Sequence, residues 1–301
     1  MILHCQEKLR LDTFIFSSVG ANLRSLDEML SYNASHVARA TWAAAVAAWR
    51  AAHAARLARA LRTDGGGIPA AWTGNACHDY EGWNPSWAWN NASDTPQKRR
   101  WVAAVANVST PTFDPAFFAA IGGFAPPAGT RGWADLANFP AARAALLAGS
   151  YRHFSQVFWN LTLTVSKSVA PRARWGSWNY PMKWGPATAD RNGGRPFPVW
   201  LQATDELRWL WPQFGAFMLD LYPEMYVGAA SARPAWVKPD CGAHNHSENV
   251  LYFSSNMRAA KQLRARYAPK AHIYGYLWPV EILRHCFRSN GAALAQLRPG
   301  S

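Results

Sequence analysis

The sequence lacks several features that would place it in a familiar class. Its four cysteines show no C-x-x-C spacing, so we expect no zinc site, and no other metal or cofactor is indicated. No run of 18 consecutive apolar residues is present, and a transmembrane helix is therefore not predicted. The N-terminal segment MILHCQEKLRLDTF has no long apolar region of the signal-peptide kind. This predicts either an intracellular protein or a chain that begins inside a longer precursor.

Acidic residues are scarce. The 31 Lys and Arg outnumber the 18 Asp and Glu, which gives a formal charge of +13 and a pI near 10.0. Such a balance favours a polyanionic partner: nucleic acid, an anionic membrane surface or an acidic polysaccharide. The only tight basic run is Lys98, Arg99 and Arg100, and a run of that size is typical of a solvated face.

Five N-x-[ST] sequons are present. They begin at Asn33, Asn91, Asn107, Asn160 and Asn245. Together they favour a glycoprotein of the secretory pathway, secreted or lysosomal, in which Cys5, Cys77, Cys241 and Cys286 could form disulfides.

Strand-like and helix-like segments alternate along the chain without an evident linker. We predict strands over residues 11–18, around Asp79 and Glu81, over 174–181, at the end of 217–227 and over 272–278. We predict helices over 36–62, 141–168, 205–211 and 250–267, and a loop over 84–110. This order predicts one α/β domain spanning residues 1–301 with a parallel sheet, and it favours a (β/α) barrel over an open sheet.

The stretch NACHDYEGWNPSWAW, residues 75–89, carries the strongest chemical signal. In a strand, Asp79 and Glu81 would point to the same face and share one pocket. Two carboxyls that close do not both ionise easily, so one would keep its proton and serve as a general acid. The alternative is a pair of ordinary solvated acids at a strand end.

Aromatic residues are abundant, with 17 tryptophans that often occur in groups. Flat rings stack on sugars and bases, although most buried tryptophans fill cores. On the predicted first helix, His53 falls on the apolar stripe, which favours a core position over a ligand role.

Several segments, in the same order, resemble the hyaluronidase family of glycoside hydrolases from vertebrates and venoms. They are Phe14–Ser18, the acid motif Asp79–Trp87, Trp175–Pro181, Asp205–Trp211 followed by Leu221–Tyr226, and His272–Tyr276. Their shared order is more specific than any one of them.

The resemblance implies a distorted TIM-like (β/α)₇ barrel that hydrolyses β-N-acetylhexosaminide bonds in hyaluronan or chondroitin by a substrate-assisted retaining mechanism. It implies that Glu81 is the general acid and base, that Asp79 stabilises the substrate acetamido group and that Tyr226 donates a hydrogen bond to it. Residues expected to contact substrate are Trp83, Asn84, Trp178, Trp211 and Tyr276. The implied partner is an acidic glycosaminoglycan, with no nucleic acid, no membrane span and a monomeric chain.

The chain also departs from the family pattern. Trp178 replaces a tyrosine and offers no hydroxyl, and Asn84 replaces an arginine. His78 could perturb the ionisation of Asp79 or could simply pack against the surrounding helices. The first and last strands of the barrel lack counterparts, which predicts a barrel incomplete at both ends. Two other hypotheses therefore remain: a catalytically degenerate homologue that binds acidic glycans, and a basic nucleic-acid-binding protein.

Overall fold

The chain folds into short parallel strands that alternate with longer helices. Its computed structural model describes residues 13–16, 42–63, 67–79, 84–92, 96–120, 128–181, 197–221 and 246–276. Within these residues the strands are β1 (Thr13–Phe16), β2 (Asn75–His78), β3 (Arg174–Ser177), β4 (Ala216–Asp220) and β5 (His272–Tyr276).

The strands lie side by side in the order of the sequence. β1, β2 and β3 form one parallel sheet, and β4 pairs with β5 in a second. Bridges from Met218 to Trp178 and to Tyr180 connect the two sheets. Doubly wound sheets reverse their strand order at a switch point, whereas barrels keep it sequential. The sequential order is therefore the arrangement that a barrel requires.

The predicted α/β class with parallel strands is confirmed. The described strands form an open arc, since β5 is not seen to pair with β1 among these residues. A (β/α)₇ barrel, and its incompleteness at both ends, stay predictions.

The helices cover one face of this arc. They are α1 (Trp42–Thr63), α2 (Trp87–Asn91), α3 (Pro96–Val108), α4 (Pro115–Ala120), α5 (Pro140–Val169), α6 (Phe197–Glu206) and α7 (His246–Tyr267), with 3-10 turns at Asp135–Asn138 and Trp211–Gln213. α5 begins with a proline in its first turn, and Pro171 follows its end.

α5 is the central helix of this layer. Its buried side chains recur every three to four residues, from Leu146 to Val169. α1 packs against it with Trp49, His53 and Leu57 buried. The core position predicted for His53 is confirmed, because its Nε2 lies 3.3 Å from Thr162 Oγ1 and its ring lies 5.0 Å from that of Phe158.

Two segment predictions were wrong. Residues 84–110 were expected to form a loop, but they contain α2 and α3. The helix expected over 205–211 lies earlier, as α6. The range 217–227, at whose end a strand was expected, begins within β4, and residues 222–227 lie outside the described residues, so a strand at the end of this range stays a prediction.

β3 and β4 approach each other closely at Gly176. A Cβ atom at this position would lie 2.3 Å from the carbonyl oxygen of Ala216, so only glycine fits. The contact joins the C-terminal half of β3 to the first residue of β4.

Candidate active site

Asp79 lies directly after the C-terminal end of β2. Its side chain is only 6% exposed. β2 ends at His78, so Asp79 lies one residue beyond the strand that was expected to contain it. Glu81 lies outside the described residues, and a pocket shared by the two acids stays a prediction. What the structure establishes is a buried carboxylate at the carboxyl end of a parallel strand, the usual location of catalytic groups in barrels.

Side chains from neighbouring strands share one surface, which we call the inner face. Buried Cys77, Ala216 and Met218 form a cluster there, and Trp178 and Tyr274 pack against it. The opposite face of the sheet contacts the helices. The inner face extends along β2, β3 and β4 to their C-terminal ends.

Asp220 is a carboxylate that the sequence analysis did not single out. It ends β4 and is 2% exposed, and its register partner on β5 is Tyr276. Ala216 and Met218 belong to the inner-face cluster, so period-two alternation places Asp220 on the same face. The signal was present in the sequence as an acid at the end of an apolar strand, AFMLD.

His78 faces the helices. Its Nε2 lies 2.9 Å from Ser166 Oγ on α5, and its ring stacks on Trp175 at 5.0 Å. Burial lowers the pKa of His78 to about 3, with a further contribution from His53. The imidazole is thus neutral near pH 7, which supports the packing interpretation. His78 therefore carries no positive charge that could perturb the ionisation of Asp79.

Trp178 and Tyr180 point in different directions although they are two residues apart. Between them, Asn179 has a φ of 59°, a left-handed conformation that asparagine tolerates better than most residues. Trp178 packs on the inner face, whereas the Tyr180 ring contacts Trp159 on α5. Burial raises the pKa of Tyr180, so its hydroxyl stays protonated. This hydroxyl lies on the helix side and does not replace the tyrosine hydroxyl that Trp178 lacks.

Asn84 shapes the turn after the acid motif. Its Oδ1 accepts a hydrogen bond from the backbone N of Ser86 at 2.9 Å, and its carbonyl oxygen accepts one from Asn90 Nδ2 at 2.8 Å. These contacts give it a structural role at the start of α2. Its predicted contact with substrate stays a prediction.

The N-terminus of α2 is capped from a distant helix. Ser86 Oγ and the backbone N of Ala88 both donate to Glu206 Oε2, at 2.7 and 3.0 Å, and Trp89 N donates to Ser86 Oγ at 3.2 Å. A carboxylate suits a helix N-terminus because the first N–H groups there have no partner in the helix. Glu206 therefore fixes the segment that follows the acid motif.

Trp211 lies in the core. Its ring is fully buried near Phe214 and Phe217, and its Nε1 donates to the carbonyl oxygen of Thr204 at 3.0 Å. A ring in this position packs the core and offers no open face to a sugar, which argues against its predicted contact with substrate.

The remaining predicted site residues are only partly covered. Glu81, Trp83 and Tyr226 lie outside the described residues, and of Tyr276 only the backbone is described. Across the part that is described, no three His, Cys, Asp or Glu side chains are grouped as a metal ion would require. In that same part, no helix combines the length and apolarity needed to cross a membrane.

Three of the five sequon asparagines fall in described helices. Asn91, Asn107 and Asn160 are all exposed, so their side chains reach the surface, and glycosylation stays a prediction. Asn33 and Asn245 are outside the described residues. In the basic run, Arg99 and Arg100 are exposed, in agreement with a solvated face.

Part of the chain matches the model of a known family. Residues 137–238 match a family model described as hyaluronidase, and this segment includes the motifs at 175–181 and 205–226 but not the acid motif at 79–87. Recognition of the family from the sequence motifs is thereby confirmed. No match is found among curated proteins.

Two solved structures are similar to this chain. One is bee venom hyaluronidase, with 17% identity and a TM-score of 0.52, covering 76% of this chain and 59% of the other. The second is bee venom hyaluronidase in complex with a hyaluronic acid tetramer, with 16% identity and a TM-score of 0.46, covering 69% and 51%. The chain thus spans between half and three fifths of the length of these proteins.

Proposed function

We propose that this chain is a member of the hyaluronidase family and an endoglycosidase that hydrolyses β-N-acetylhexosaminide bonds in hyaluronan or chondroitin. The observation that carries the proposal is the buried carboxylate of Asp79 at the C-terminal end of β2, within a motif that resembles the acid motif of the family. Parallel strands in sequential order support it, because barrel enzymes place their chemistry at this edge.

The proposed mechanism uses one acid and the substrate itself. The Glu81 carboxyl donates its proton to the glycosidic oxygen as that bond to the anomeric carbon breaks, while the acetamido oxygen of the substrate attacks the same carbon. The Glu81 carboxylate then takes a proton from water, and the water oxygen opens the cyclic intermediate. Asp79 holds the acetamido N–H and offsets its developing positive charge, and Tyr226 donates a hydrogen bond to the acetamido group.

Asp220 extends this arrangement. Its carboxylate lies on the inner face at the end of β4, opposite Tyr276 in register. A second buried carboxylate at this edge adds negative potential, which favours the positive charge that develops on the sugar ring and the acetamido group. Trp178, half-buried on the same face, supplies an apolar surface for the sugar.

The cellular setting follows from the same family assignment. We propose a monomeric glycoprotein of the secretory pathway, secreted or lysosomal, whose partner is the acidic glycosaminoglycan substrate. The exposed positions of Asn91, Asn107 and Asn160 support glycosylation.

A second candidate is a homologue that binds acidic glycans without cleaving them. It is favoured by Asn84, whose amide oxygen is engaged by the backbone of Ser86 where the family has a charged donor, and by Trp178, which has no hydroxyl. The net charge of +13 serves binding equally well in both candidates.

Depolymerisation of hyaluronan and of chondroitin by the full chain, from acid to neutral pH, tests the proposal. Glu81→Gln keeps the shape of the side chain and removes the transferable proton, so we expect turnover to fall by about a thousandfold or more. Asp135→Asn, a carboxylate change in an outer 3-10 turn, is the matched control and should retain turnover. Binding of both polymers without any cleavage by the unmodified chain would select the second candidate.

A further inference from the structure

A groove between α6 and α7 forms a cavity of about 320 Å³ outside the candidate active site. Arg258, Gln262 and Arg266 line it from α7, where their spacing of four residues places them on one helix face. Leu201 and Thr204 line it from α6. None of these residues belongs to the proposed catalytic machinery.

The groove lies toward the end of the strands opposite to Asp79. α7 ends at Tyr267 and β5 begins at His272, so the C-terminal part of the helix lies at the N-terminal edge of the strands. Thr204 lies near the same edge, since its carbonyl oxygen accepts from Trp211, just before β4 begins. A molecule in this groove would therefore leave the candidate active site open.

The groove contains a buried hydroxyl group, that of Thr204. The residue is 2% exposed, and among the described residues its Oγ1 has no hydrogen-bond partner. Buried hydroxyls are nearly always hydrogen-bonded, because an unpaired one lowers stability. A ligand that reaches the bottom of the groove could satisfy this hydroxyl.

The surface around the groove is strongly basic. Between residues 249 and 276 the chain has no Asp or Glu. Its exposed cations in this region are Arg258, Lys261, Arg264, Arg266 and Lys270. Asp205 is the one carboxylate among the described residues that line the cavity, and it offsets only part of this charge.

We propose that this groove, together with the basic surface of α7, binds a sulfated glycosaminoglycan chain at a site separate from the catalytic one. Guanidinium groups pair with sulfate and carboxylate oxygens through two parallel hydrogen bonds, which suits Arg258 and Arg266. Thr204 and Gln262 can hydrogen-bond the sugar hydroxyls. The choice of a glycan over nucleic acid rests on the proposed function, whereas the existence of the site rests on the groove.

Fluorescence anisotropy with a labelled chondroitin sulfate oligosaccharide of defined length tests the site. The binding protein is the full chain carrying Glu81→Gln, which keeps the probe intact. Adding Arg258→Gln and Arg266→Gln should weaken binding by about tenfold or more and reduce its dependence on salt. The matched control removes the same charge from α1 with Arg50→Gln and Arg59→Gln, both at exposed positions. Equal affinities of the two double variants would overturn the proposal.

Thr204→Val separates ligand binding from a structural role. Valine has nearly the shape of threonine without the unpaired hydroxyl, so the variant should unfold at the same or a higher temperature. We expect it to bind the oligosaccharide several-fold more weakly. A more stable variant with unchanged affinity would show that Thr204 does not contact the ligand and would remove it from the proposed site.

Two further outcomes distinguish this site from the proposed function. A DNA duplex that binds more tightly than the oligosaccharide, through Arg258 and Arg266, would overturn the assignment to a glycan. If the unmodified chain cleaves neither hyaluronan nor chondroitin but binding still depends on these arginines, the proposed function fails and this site stands. If the unmodified chain cleaves either polymer but binding does not depend on these arginines, the proposed function stands and this site fails.

Discussion

The Glu206 carboxylate accepts a hydrogen bond from Ser86 Oγ at 2.7 Å and joins α6 to the segment that follows the acid motif. The same oxygen accepts from the backbone N of Ala88 at 3.0 Å. Two family-like motifs, 120 residues apart in sequence, are thus connected directly through one charged group. The start of α2 depends on this contact.

Glu206→Gln should destabilise the protein and reduce turnover. The amide lacks the negative charge that strengthens both hydrogen bonds, so we expect a loss of about 1–2 kcal/mol in the free energy of unfolding. Urea denaturation checks this, with Asp205→Asn, an exposed neighbour, as the control that changes stability by less than about 0.5 kcal/mol. Equal stability of the two variants would mean that Glu206 does not hold α2.

Several elements were predictable because their signals are local. The apolar period of α1 and α5 identified both helices, and the apolar runs gave β1, β3 and β5. α2 was missed because its start depends on Glu206, and no window around residue 86 contains that carboxylate. A cap supplied across 120 residues leaves no local pattern.

The candidate site was predictable in part for the same reason. Asp79 followed from the acid motif, and burial at the end of β2 agrees with it. The directions of Trp178 and Tyr180 did not follow, because alternation fails at Asn179, whose φ of 59° turns the chain. Asp220 was overlooked since an acid at the end of a strand is usually solvated, and only the packing of β4 against β5 shows it to be buried.

The free energy of unfolding should decrease as the pH is lowered below about 6.5, because of His78. Its pKa is about 3 in the folded protein and near 6.5 in the unfolded chain, so between these values only the unfolded chain binds the proton. Stability is therefore fully present above pH 6.5 and is lost as the pH falls, by about 1.4 kcal/mol per pH unit, or ~2 kcal/mol at pH 5.

Urea denaturation at pH 7 and pH 5 measures this loss. His78→Gln removes the titrating group and keeps a possible hydrogen bond to Ser166, so its stability should change less between the two pH values. His272→Gln, at an exposed position, is the matched control. The same pH dependence in His78→Gln and in the unmodified chain would contradict the assignment.

Gly176→Ala should separate β3 from β4. The added methyl group would lie 2.3 Å from the carbonyl oxygen of Ala216, and backbone atoms on both strands would have to move. We expect a loss of about 2–3 kcal/mol in unfolding free energy, with reduced turnover because the C-terminal ends of the strands shift.

Gly129→Ala provides the comparison for this variant. Gly129 has a φ of 81° with nothing within 4 Å of the added Cβ, so alanine meets backbone strain there but no steric clash, and the loss should be about 1 kcal/mol. Thermal unfolding of both variants checks the order. A Gly176→Ala protein as stable as Gly129→Ala would show that the two strands can move apart at little cost.

Trp178 offers a test in which activity should rise. The family resemblance places a tyrosine hydroxyl beside the substrate at this position, and the hydroxyl of Tyr180 lies on the helix side and does not replace it. Trp178→Tyr should therefore increase kcat/KM on hyaluronan or chondroitin by several-fold, since one hydrogen bond made in the transition state is worth about 1 kcal/mol. Trp178→Phe loses the same indole without gaining a hydroxyl, so the difference between the two variants isolates the hydrogen bond. If both variants show the same kcat/KM, the added hydroxyl does not reach the reacting sugar, and Trp178 contributes only an apolar surface to the site.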